Sequence, residues 1–388
     1  MSAEAHGRVP ALASRLDDDW RARALAAQEA VLPAGSFVAT CSAPFGAGGL
    51  GRHLAEIVDA LKRREQPTVC ISGSTRESCS SAPLRTSARA ALRVPHLRTV
   101  LSRLPVAASP GWRTRALMTE FDAYAAQRLP AAERLIAFNG QALSQMRTAT
   151  RAGYESVSLV SANSHLRRVL RQHRRAHEQY PLEGSWAEHL LRRNVAEYAR
   201  ADEIYVASQY TRESFLEEGF DPERLKHFRF TPDPRYRREA TAPRAEAFQI
   251  VYVGSLSVAK GVPLLIDAVR ALAHADIRLV LVGGWGTRGM RRFVQQACTS
   301  DARITVSPGD PLPHLRSASL CVHPSYEDGF AYAPAEALAC GVPVIVSEDT
   351  GMKELLEDPR EGLVLPTGDL AALREALDAA YRGEILGG

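Results

Sequence analysis

Two carboxylates eight residues apart flank a short glycine-containing turn in the last third of the chain. Asp328 precedes Gly329-Phe330-Ala331, and Glu336 follows within an alanine-rich stretch. An ionised carboxylate only accepts hydrogen bonds, which suits the hydroxyl groups of a sugar. Backbone N–H groups at the start of a helix favour an anion. Two acids on either side of an anion site therefore fit a ligand in which a diphosphate joins a ribose to a hexose.

The elements that position these acids read as strand, loop, helix and strand over Cys321–Ile345. Pro334 near the start and Gly341 at the end predict a helix over about Tyr332–Cys340. The apolar run Val342–Val346 is typical of a buried parallel strand. The turn between the two acids is therefore expected at the amino end of the helix.

This stretch resembles the signature of family 4 glycosyltransferases of the two-domain GT-B type. Their usual pattern is Glu-Gly-Phe-Gly, four residues, Glu-Ala, and then Cys-Gly-x-Pro-Val. The present chain has Asp328 for the first Glu, Ala331 for the last Gly, Glu336-Ala337, and Cys340–Val344. The resemblance implies that Asp328 binds sugar hydroxyls as a catalytic residue and that Glu336 holds the ribose. The residues it assigns to donor binding here are Asp328, Gly329, Phe330, Ala331 and Glu336. For an isolated acid pair, the alternative is a loop whose acids cap a helix.

A second loop follows the predicted strand Ile250–Val253. Its sequence, Gly254-Ser255-Leu256-Ser257-Val258-Ala259-Lys260-Gly261, resembles the Gly-Arg-Leu-x-x-x-Lys-Gly element of the same family. In the family, the arginine and the lysine contact the donor diphosphate, and Gly254 and Ser255 belong to the donor loop. Lys260 is retained and is expected to neutralise the leaving diphosphate as a catalytic residue. Ser255 replaces the arginine, so either another cation reaches the phosphates or the donor is held more weakly. The candidates for that cation are Arg288 and Arg52.

Two further loops of this half are assigned to the donor. The predicted strand Arg278–Val282 ends in Gly283-Gly284, which admit a ligand at the edge of the sheet. The strand Ile304–Val306 leads into Ser307-Pro308-Gly309, a loop that lies near the base in the family. Four βα units over residues 250–341 predict a Rossmann-like domain.

The N-terminal half opens with a strand at Phe37–Cys41, a helix over about Arg52–Arg64 and a strand at Thr68–Ser72, the start of a βαβ unit. The turn Gly46–Gly51 fits the dinucleotide pattern G-x-G-x-x-G. However, four residues separate it from the first strand, and no acid follows the second strand to bind a ribose.

The glycine-rich first loop of a GT-B N-terminal domain is the interpretation we favour, because Gly48-Gly49-Leu50-Gly51-Arg52 resembles it closely. In that loop the missing side chains, here at Gly48 and Gly49, let the backbone approach the donor phosphates. Residues 190–230 also resemble the last segment of that domain.

His165 follows the predicted strand Val157–Val160 and is expected at the carboxyl edge of the first sheet. A histidine there can orient or deprotonate an acceptor hydroxyl, so His165 is a candidate catalytic residue. The alternative is a residue beside a helix cap with no chemistry. Asn139-Gly140, after the strand Leu135–Phe138, is a similar candidate.

Two stretches are rich in arginine. No acid occurs over Ser78–Thr119, while the Arg85–Arg115 region carries seven arginines among apolar residues. Such a stretch suits an anionic membrane surface, and a solvated insertion is the equal alternative. For the second run, Arg167–Arg175, an anionic acceptor, a membrane surface and solvation all remain open.

Composition sets the class of protein. The chain has 388 residues, 45% of them hydrophobic, and a formal net charge of +4. This length predicts two domains, and the mild charge excess gives no reason to expect nucleic acid as a partner.

The sequence also bears on the location of the protein. No apolar run would span a bilayer, and the N-terminus is unlike a signal peptide. This predicts a cytoplasmic protein, with the inner face of the membrane as an alternative. The six scattered cysteines indicate neither a zinc site nor a disulfide framework.

The predicted organisation has four parts. Residues 1–35 form an N-terminal extension, 36–240 an acceptor domain, 241–368 a donor domain, and 369–388 a final helix that is a candidate for crossing back. Pro232–Pro243 is dense in proline and charge and reads as the hinge.

The fold class predicted from the resemblance is α/β, GT-B, with two Rossmann-like doubly wound domains facing across a cleft. The resemblance implies retaining transfer of a hexose from a nucleoside-diphosphate sugar to a glycan, lipid-linked or small-molecule acceptor hydroxyl, without a metal or other cofactor. Polysaccharide or glycoconjugate biosynthesis is the expected setting. The alternatives are a catalytically impaired GT-B subunit that binds a partner enzyme, and an NAD(P)-dependent oxidoreductase that uses the Gly46–Gly51 turn.

Overall fold

The computed structural model describes residues 15–73, 85–86, 110–239, 245 and 247–386. The arginine-rich region Arg85–Arg115 lies mostly outside this part of the chain. Two compact units are present, and their described parts fall within the following ranges. The N-terminal unit is Ala22–Leu170 with Gly184–Phe230, and the C-terminal unit is Thr231–Gly388 with Met1–Arg21 and Arg171–Glu183.

The N-terminal unit is built on a parallel sheet in the order β3-β2-β1-β4-β5-β6-β7. The strands are β1 (Phe37–Cys41), β2 (Thr68–Ser72), β3 (Arg85–Thr86), β4 (Arg134–Phe138), β5 (Ser156–Ser161), β6 (Glu203–Val206) and β7 (Leu225–His227). The helices are α1 (Asp18–Val31), α2 (Gly48–Arg63), α3 (Pro110–Ala126), α4 (Leu143–Arg151), α5 (Leu166–Gln179), α6 (Leu191–Tyr198) and α7 (Gln209–Leu216). Residues 171–179 of α5 fall in the range of the C-terminal unit. Every residue of β1 is buried, as expected for a central strand covered on both faces.

The C-terminal unit has a second parallel sheet, in the order β10-β9-β8-β11-β12-β13. Its strands are β8 (Phe248–Val253), β9 (Ile277–Val282), β10 (Ile304–Val306), β11 (Leu320–His323), β12 (Val344–Ser347) and β13 (Gly362–Leu365). Its helices are α8 (Val262–Arg270), α9 (Arg288–Ser300), α10 (Leu312–Ser317), α11 (Tyr332–Ala339) and α12 (Leu370–Tyr381). The core of this unit packs leucine, isoleucine and valine side chains of β8, β9 and α8 against α12.

Both sheets have the strand order of a doubly wound Rossmann-like domain. In each, the first strand lies at the centre, the next two extend to one side, and the fourth begins the other side. The chain therefore leaves β1 and β4, and likewise β8 and β11, in opposite directions, which opens a crevice at the carboxyl ends of these strand pairs. The predicted α/β class with two Rossmann-like doubly wound domains is confirmed.

The ranges of the two compact units depart from the predicted domain limits at several points, and the described part of Met1–Arg21 is one of them. The linker residues before Ala240 pack with the C-terminal unit, where the Arg235 guanidinium lies 3.0 Å from the Asp310 carboxylate. Residues 171–183 also belong to that unit. The final helix α12 packs on α8 and contributes Leu373 and Leu377 to the core of the C-terminal unit.

Two properties of the described residues concern the environment of the protein. None of the described helices combines the length and apolar character that a membrane crossing requires. The cysteines at positions 41, 70, 298, 321 and 340 are free thiols, and Cys79 lies outside the described residues.

Candidate functional site

The loop after β8 delivers Lys260 to the carboxyl end of β11. Gly261, the residue before α8, has a φ of 71°, which favours glycine. A Cβ atom there would stand 1.9 Å from the carbonyl oxygen of Pro324, in the loop after β11. Pro263, at the start of α8, is pre-organised for the first helical turn. The two loops therefore pack backbone to backbone, and Lys260 lies at their junction.

Lys260 and Asp328 form an ion pair at this junction, which is the switch point of the second sheet. The Lys260 Nζ atom lies 2.7 Å from Oδ2 of Asp328 and 2.9 Å from the carbonyl oxygen of Glu327. The side chains are 25% and 19% exposed, so both retain access to solvent. The structure thus brings together two of the predicted site residues.

Both carboxylate oxygens of Asp328 accept hydrogen bonds. Its Oδ2 atom also receives a hydrogen bond from Nε2 of His323 at 3.0 Å, and its Oδ1 atom accepts the Ala331 N–H at 3.1 Å. Burial raises the pKa of Asp328, but the nearby Lys260 ammonium and the hydrogen bond from His323 outweigh it and hold the pKa well below its usual range. Asp328 is therefore ionised at neutral pH and acts as an acceptor only.

Helix α11 begins four residues after Asp328, at Tyr332. Ala331, its N-cap residue, has a φ of 65°, the left-handed region that side chains avoid. The family pattern has glycine at this position, so the alanine stores backbone strain beside the site. Gly329 and Phe330 are buried between Asp328 and the helix. Glu336 lies in the second turn of α11 and is only 2% exposed.

The two predicted glycines after β9 have different surroundings. A Cβ atom at Gly283 would stand 1.8 Å from the carbonyl oxygen of Gly254, so this glycine permits the packing of two loops. Gly283 therefore has a packing role, and its contact with a ligand stays a prediction. Gly284 has open space around it, and its carbonyl oxygen accepts the Leu256 N–H at 2.9 Å. Ser255 and Pro308 are both exposed at the ends of their loops.

Gly48 and Gly49 lie in the N-terminal unit, after the central strand β1. They form the first turn of α2, which begins at Gly48 and not at the predicted Arg52. Neither glycine has a neighbour within 4 Å of a Cβ position, whereas a Cβ atom at Gly51 would stand 1.9 Å from the Pro44 carbonyl oxygen. Gly51 therefore permits the close approach of the loop to α2, and there is free space beside the backbone of Gly48 and Gly49.

His165 occupies a buried position among aromatic side chains. It is 2% exposed, and its ring lies against the rings of Tyr198, Phe215 and Phe220 at centroid distances of 4.8, 5.1 and 5.7 Å. Its backbone N–H donates to Ser214 Oγ at 2.7 Å. These contacts support the alternative interpretation, a packing position beside the start of α5, and the catalytic role of His165 stays a prediction.

A buried carboxylate that the sequence did not single out shapes the loop after β4. Glu197 accepts the N–H groups of Gly140, Ala142 and Leu143, the last two at 2.9 and 3.1 Å. Burial raises the pKa of Glu197 to about 7, against the opposing effect of these donors. Asn139 belongs to the same network, through a hydrogen bond to Asn194. Asn139-Gly140 is therefore part of a structural network.

The second basic run is partly neutralised. Arg167 pairs with Glu218 at 2.7 Å, and Arg168 pairs with Glu217. These two ion pairs lower the positive potential of α5.

Residues 171–183 contact both loops of the Lys260–Asp328 site. Glu183 accepts the Val258 N–H at 2.7 Å, in the loop that carries Lys260. Gln172 donates to Asp349 at 2.9 Å, and the carbonyl of Asp349 accepts the Asp328 N–H. Sequence patterns do not indicate this arrangement, because residues 171–183 lie in the N-terminal half of the chain but belong to the C-terminal unit.

No group of three or more histidine, cysteine, aspartate or glutamate residues within the described ranges is arranged to hold a metal ion. The charged groups at the junction of the two loops are the Lys260 ammonium and the ionised Asp328 carboxylate, which also accepts the Ala331 N–H.

Residues 247–382 match the family model described as Glycosyl transferases group 1. D-inositol 3-phosphate glycosyltransferase of Paenarthrobacter aurescens (strain TC1) is 27% identical over 164 residues, which cover 39% of this chain and 40% of that protein. The chain thus spans about two fifths of the length of this curated relative.

Solved structures of similar fold cover nearly the whole chain. Sucrose-phosphate synthase from Thermosynechococcus elongatus aligns with a TM-score of 0.64 and 19% identity, over 91% of this chain and 92% of that one. Anabaena Alr3699/HepE in complex with UDP-glucose aligns with a TM-score of 0.61 and 15% identity, over 90% of both chains. The protein therefore has the GT-B fold, and its residues 247–382 carry the sequence pattern of Glycosyl transferases group 1.

Proposed function

We propose that this protein is a glycosyltransferase that uses a nucleoside-diphosphate sugar. The observation that carries the proposal is the Lys260–Asp328 pair at the switch point between β8 and β11. Open α/β sheets bind ligands at such points. The pair also lies inside the segment that matches the glycosyltransferase family model.

Lys260 would bind the donor diphosphate. Its ammonium faces one carboxylate and one carbonyl oxygen, and it is exposed enough for a phosphate to reach it. In the reaction, the bond from the anomeric carbon to the diphosphate oxygen breaks and the acceptor oxygen bonds to that carbon. The acceptor proton passes to the leaving phosphate or to water. An ammonium already in place stabilises the negative charge that builds on the leaving group.

Asp328 would bind a hydroxyl group of the donor sugar. A carboxylate oxygen has two acceptor positions. Oδ2 fills both with Lys260 and His323, whereas Oδ1 fills one with the Ala331 N–H. As far as the described residues show, one position on Oδ1 thus remains for a sugar hydroxyl, next to the amino end of α11.

Glu336 would hold the ribose, and the N-terminal unit would bind the acceptor. For Glu336 the support is its place in the family pattern, in the second turn of α11. Gly48 and Gly49 would approach the donor phosphates through their open backbone. Gly254, Gly284 and Pro308 remain proposed members of the donor site on the same family grounds.

The finer features of the reaction follow from the family resemblance. We propose transfer of a hexose with retention of configuration, without a required metal, to a glycan, lipid-linked or small-molecule acceptor. The complex of Alr3699/HepE with UDP-glucose supports a uridine nucleotide as the first donor to test. Contact with an anionic membrane through the Arg85–Arg115 region is proposed from composition alone, because that region lies mostly outside the described residues.

The two alternative functions are not favoured. An oxidoreductase built on Gly46–Gly51 would leave the glycosyltransferase match of residues 247–382 without a role. An impaired subunit would rest on Ser255 in place of arginine, yet Lys260 and Asp328 remain paired at the switch point.

The test is calorimetric titration of the protein with UDP, GDP, ADP and their glucose esters. We expect one nucleotide family to bind, and we expect Lys260→Ala to weaken that binding at least tenfold. Lys226→Ala is the matched control, since Lys226 is a partly exposed lysine that pairs with Glu203 in the N-terminal unit. Equal affinity of the Lys260→Ala variant and the wild type would contradict the proposal. So would binding of NAD alone.

A further inference from the structure

We infer that His323 is a positioning residue of this site, which holds the Asp328 carboxylate in place when the Lys260 ammonium turns to the donor diphosphate. The inference rests on the proposed function. His323 is the last residue of β11, it is 4% exposed, and its Nε2 atom lies 3.0 Å from Oδ2 of Asp328.

The proton in this contact belongs to the histidine. Because Asp328 is ionised, its oxygen can only accept, so Nε2 of His323 must carry the proton and donate it. The other ring nitrogen, Nδ1, is buried and has no hydrogen-bond partner within the described residues. A bare nitrogen fits that position better than a buried N–H group, which would be costly without an acceptor. We therefore assign the neutral Nε2–H tautomer.

The orientation of the His323 ring is restricted by a neighbouring aromatic ring. The ring of fully buried Tyr252 lies parallel to it, with an interplanar angle of 3° and centroids 6.0 Å apart. Tyr252 donates its hydroxyl proton to the Ser255 carbonyl oxygen at 2.9 Å. The backbone of His323 is paired with Val346 in the centre of the sheet. Strands β8 and β11 therefore both determine where the Nε2–H group points.

The contact between His323 and Asp328 would matter most when the donor is bound. Lys260 and His323 share Oδ2, so this oxygen has two side-chain donors, in addition to the Ala331 N–H on Oδ1. A diphosphate competes with Asp328 for the ammonium, because it carries more negative charge than one carboxylate. His323 would then be the remaining side-chain anchor of Oδ2 shown by the described residues. It would keep Oδ1 turned towards the sugar hydroxyl.

This assignment also accounts for the shorter acid. Asp328 stands where the family pattern has glutamate, and it reaches one methylene less far into the site. A short side chain has little freedom to find its hydroxyl partner, so its orientation must be imposed. The His323 N–H and the Ala331 N–H impose it from two sides.

The variants His323→Phe and His323→Gln test the inference. Phenylalanine keeps a planar ring and removes the N–H donor, whereas the glutamine amide offers an N–H that can reach Oδ2. The control is His274→Phe, which removes another histidine–aspartate contact of the same unit, the 2.6 Å pair of His274 with Asp378. Calorimetry gives the dissociation constant for the nucleoside diphosphate that the wild type binds. Hydrolysis of its glucose ester, with water in place of the acceptor, gives kcat and KM.

We expect His323→Phe to lower kcat tenfold to a hundredfold and to change the nucleoside diphosphate affinity less than threefold. His323→Gln should recover most of kcat, and His274→Phe should change neither quantity. The inference is overturned if His323→Phe keeps a kcat within twofold of the wild type. It is also overturned if affinity falls as much as kcat and glutamine recovers neither, which would indicate a merely structural role.

A second measurement uses the wild type and does not depend on folding of the phenylalanine variant. In ¹⁵N-histidine spectra, the signal lost in His323→Gln should show the Nε2–H tautomer. The Nδ1–H tautomer would contradict the geometry. If the wild type binds no nucleotide, the proposed function fails, while this spectrum still decides whether His323 donates to Asp328.

Discussion

Gly261 and Pro324 join the two loops that carry the candidate site: a Cβ atom on Gly261 would stand 1.9 Å from the Pro324 carbonyl oxygen. Gly261 follows Lys260, and Pro324 lies four residues before Asp328. The ion pair between Lys260 and Asp328 therefore depends on a backbone contact that only glycine allows. Sequence spacing alone could not have revealed this relationship.

We expect Gly261→Ala to disrupt this joint. The added methyl group would meet the Pro324 carbonyl, and alanine at a φ of 71° is strained in addition. The free energy of unfolding should fall by about 2 kcal/mol or more, and nucleoside diphosphate binding should weaken with it. Urea denaturation and calorimetry measure the two effects. The control is Gly286→Ala, where nothing lies within 4 Å of the new atom, and an equal loss there would contradict the explanation.

Ala331→Gly should stabilise the protein slightly. The left-handed conformation costs an alanine about 1–2 kcal/mol, and the greater unfolded-state freedom of glycine offsets roughly 0.5–1 kcal/mol of that. A net gain of about 0.5 kcal/mol in the free energy of unfolding is expected. Ala335→Gly, in the middle of α11, should instead cost about 1 kcal/mol. Denaturation curves that move in the same direction for both variants would refute the strain at Ala331.

His173 should make the stability of the C-terminal unit depend on pH. Burial, with smaller effects from Lys260 and His177, lowers the pKa of His173 to about 3. An unfolded histidine titrates near 6.5, so between about pH 6.5 and 3 the unfolded chain binds the additional proton. The contribution of His173 to the free energy of unfolding is therefore fully present above pH 6.5 and is lost as the pH falls towards 3.

His173→Gln should flatten this dependence. Urea denaturation measures the free energy of unfolding of the wild type and the variant between pH 7.5 and 4. Over this range, the wild type should lose a few kcal/mol more than the variant. Parallel curves for the two proteins over the whole range would show that burial of His173 does not contribute.

Ser255→Arg should strengthen donor binding. The family pattern has an arginine here, and Ser255 is exposed at the end of the loop that carries Lys260. A guanidinium can form two charge-assisted hydrogen bonds to a phosphate, so an affinity gain of about tenfold is expected for the nucleoside diphosphate. Thr305→Arg adds the same charge at an exposed position of β10 and should have no such effect. A similar gain in both variants would indicate a general effect of charge.

Much of the fold was predictable because its strands are buried apolar runs. Strands β1 and β2 have the predicted bounds, since their residues are enriched in β-branched types between clear turn signals. The start of α2 was predicted four residues late, because glycines are poor helix formers and Gly48–Gly51 read as a loop. In the structure the first turn of α2 lies close to the preceding loop, where a Cβ atom at Gly51 would meet the Pro44 carbonyl oxygen at 1.9 Å.

The site was predictable only in part. Lys260 and Asp328 were both assigned from the family pattern, but their ion pair joins residues 68 positions apart. His323 was missed because its contact with Asp328 depends on how the loop after β11 folds back on the end of that strand, which the sequence pattern does not show. Glu197 was missed because its partners are backbone N–H groups of a distant loop.

The most direct measurement is a crystal structure of the protein with the nucleoside diphosphate that it binds. The central claim predicts a phosphate oxygen within about 3 Å of the Lys260 ammonium, over the amino end of α11. A diphosphate bound at the Gly46–Gly51 turn, with the Lys260–Asp328 pair unchanged, would contradict it.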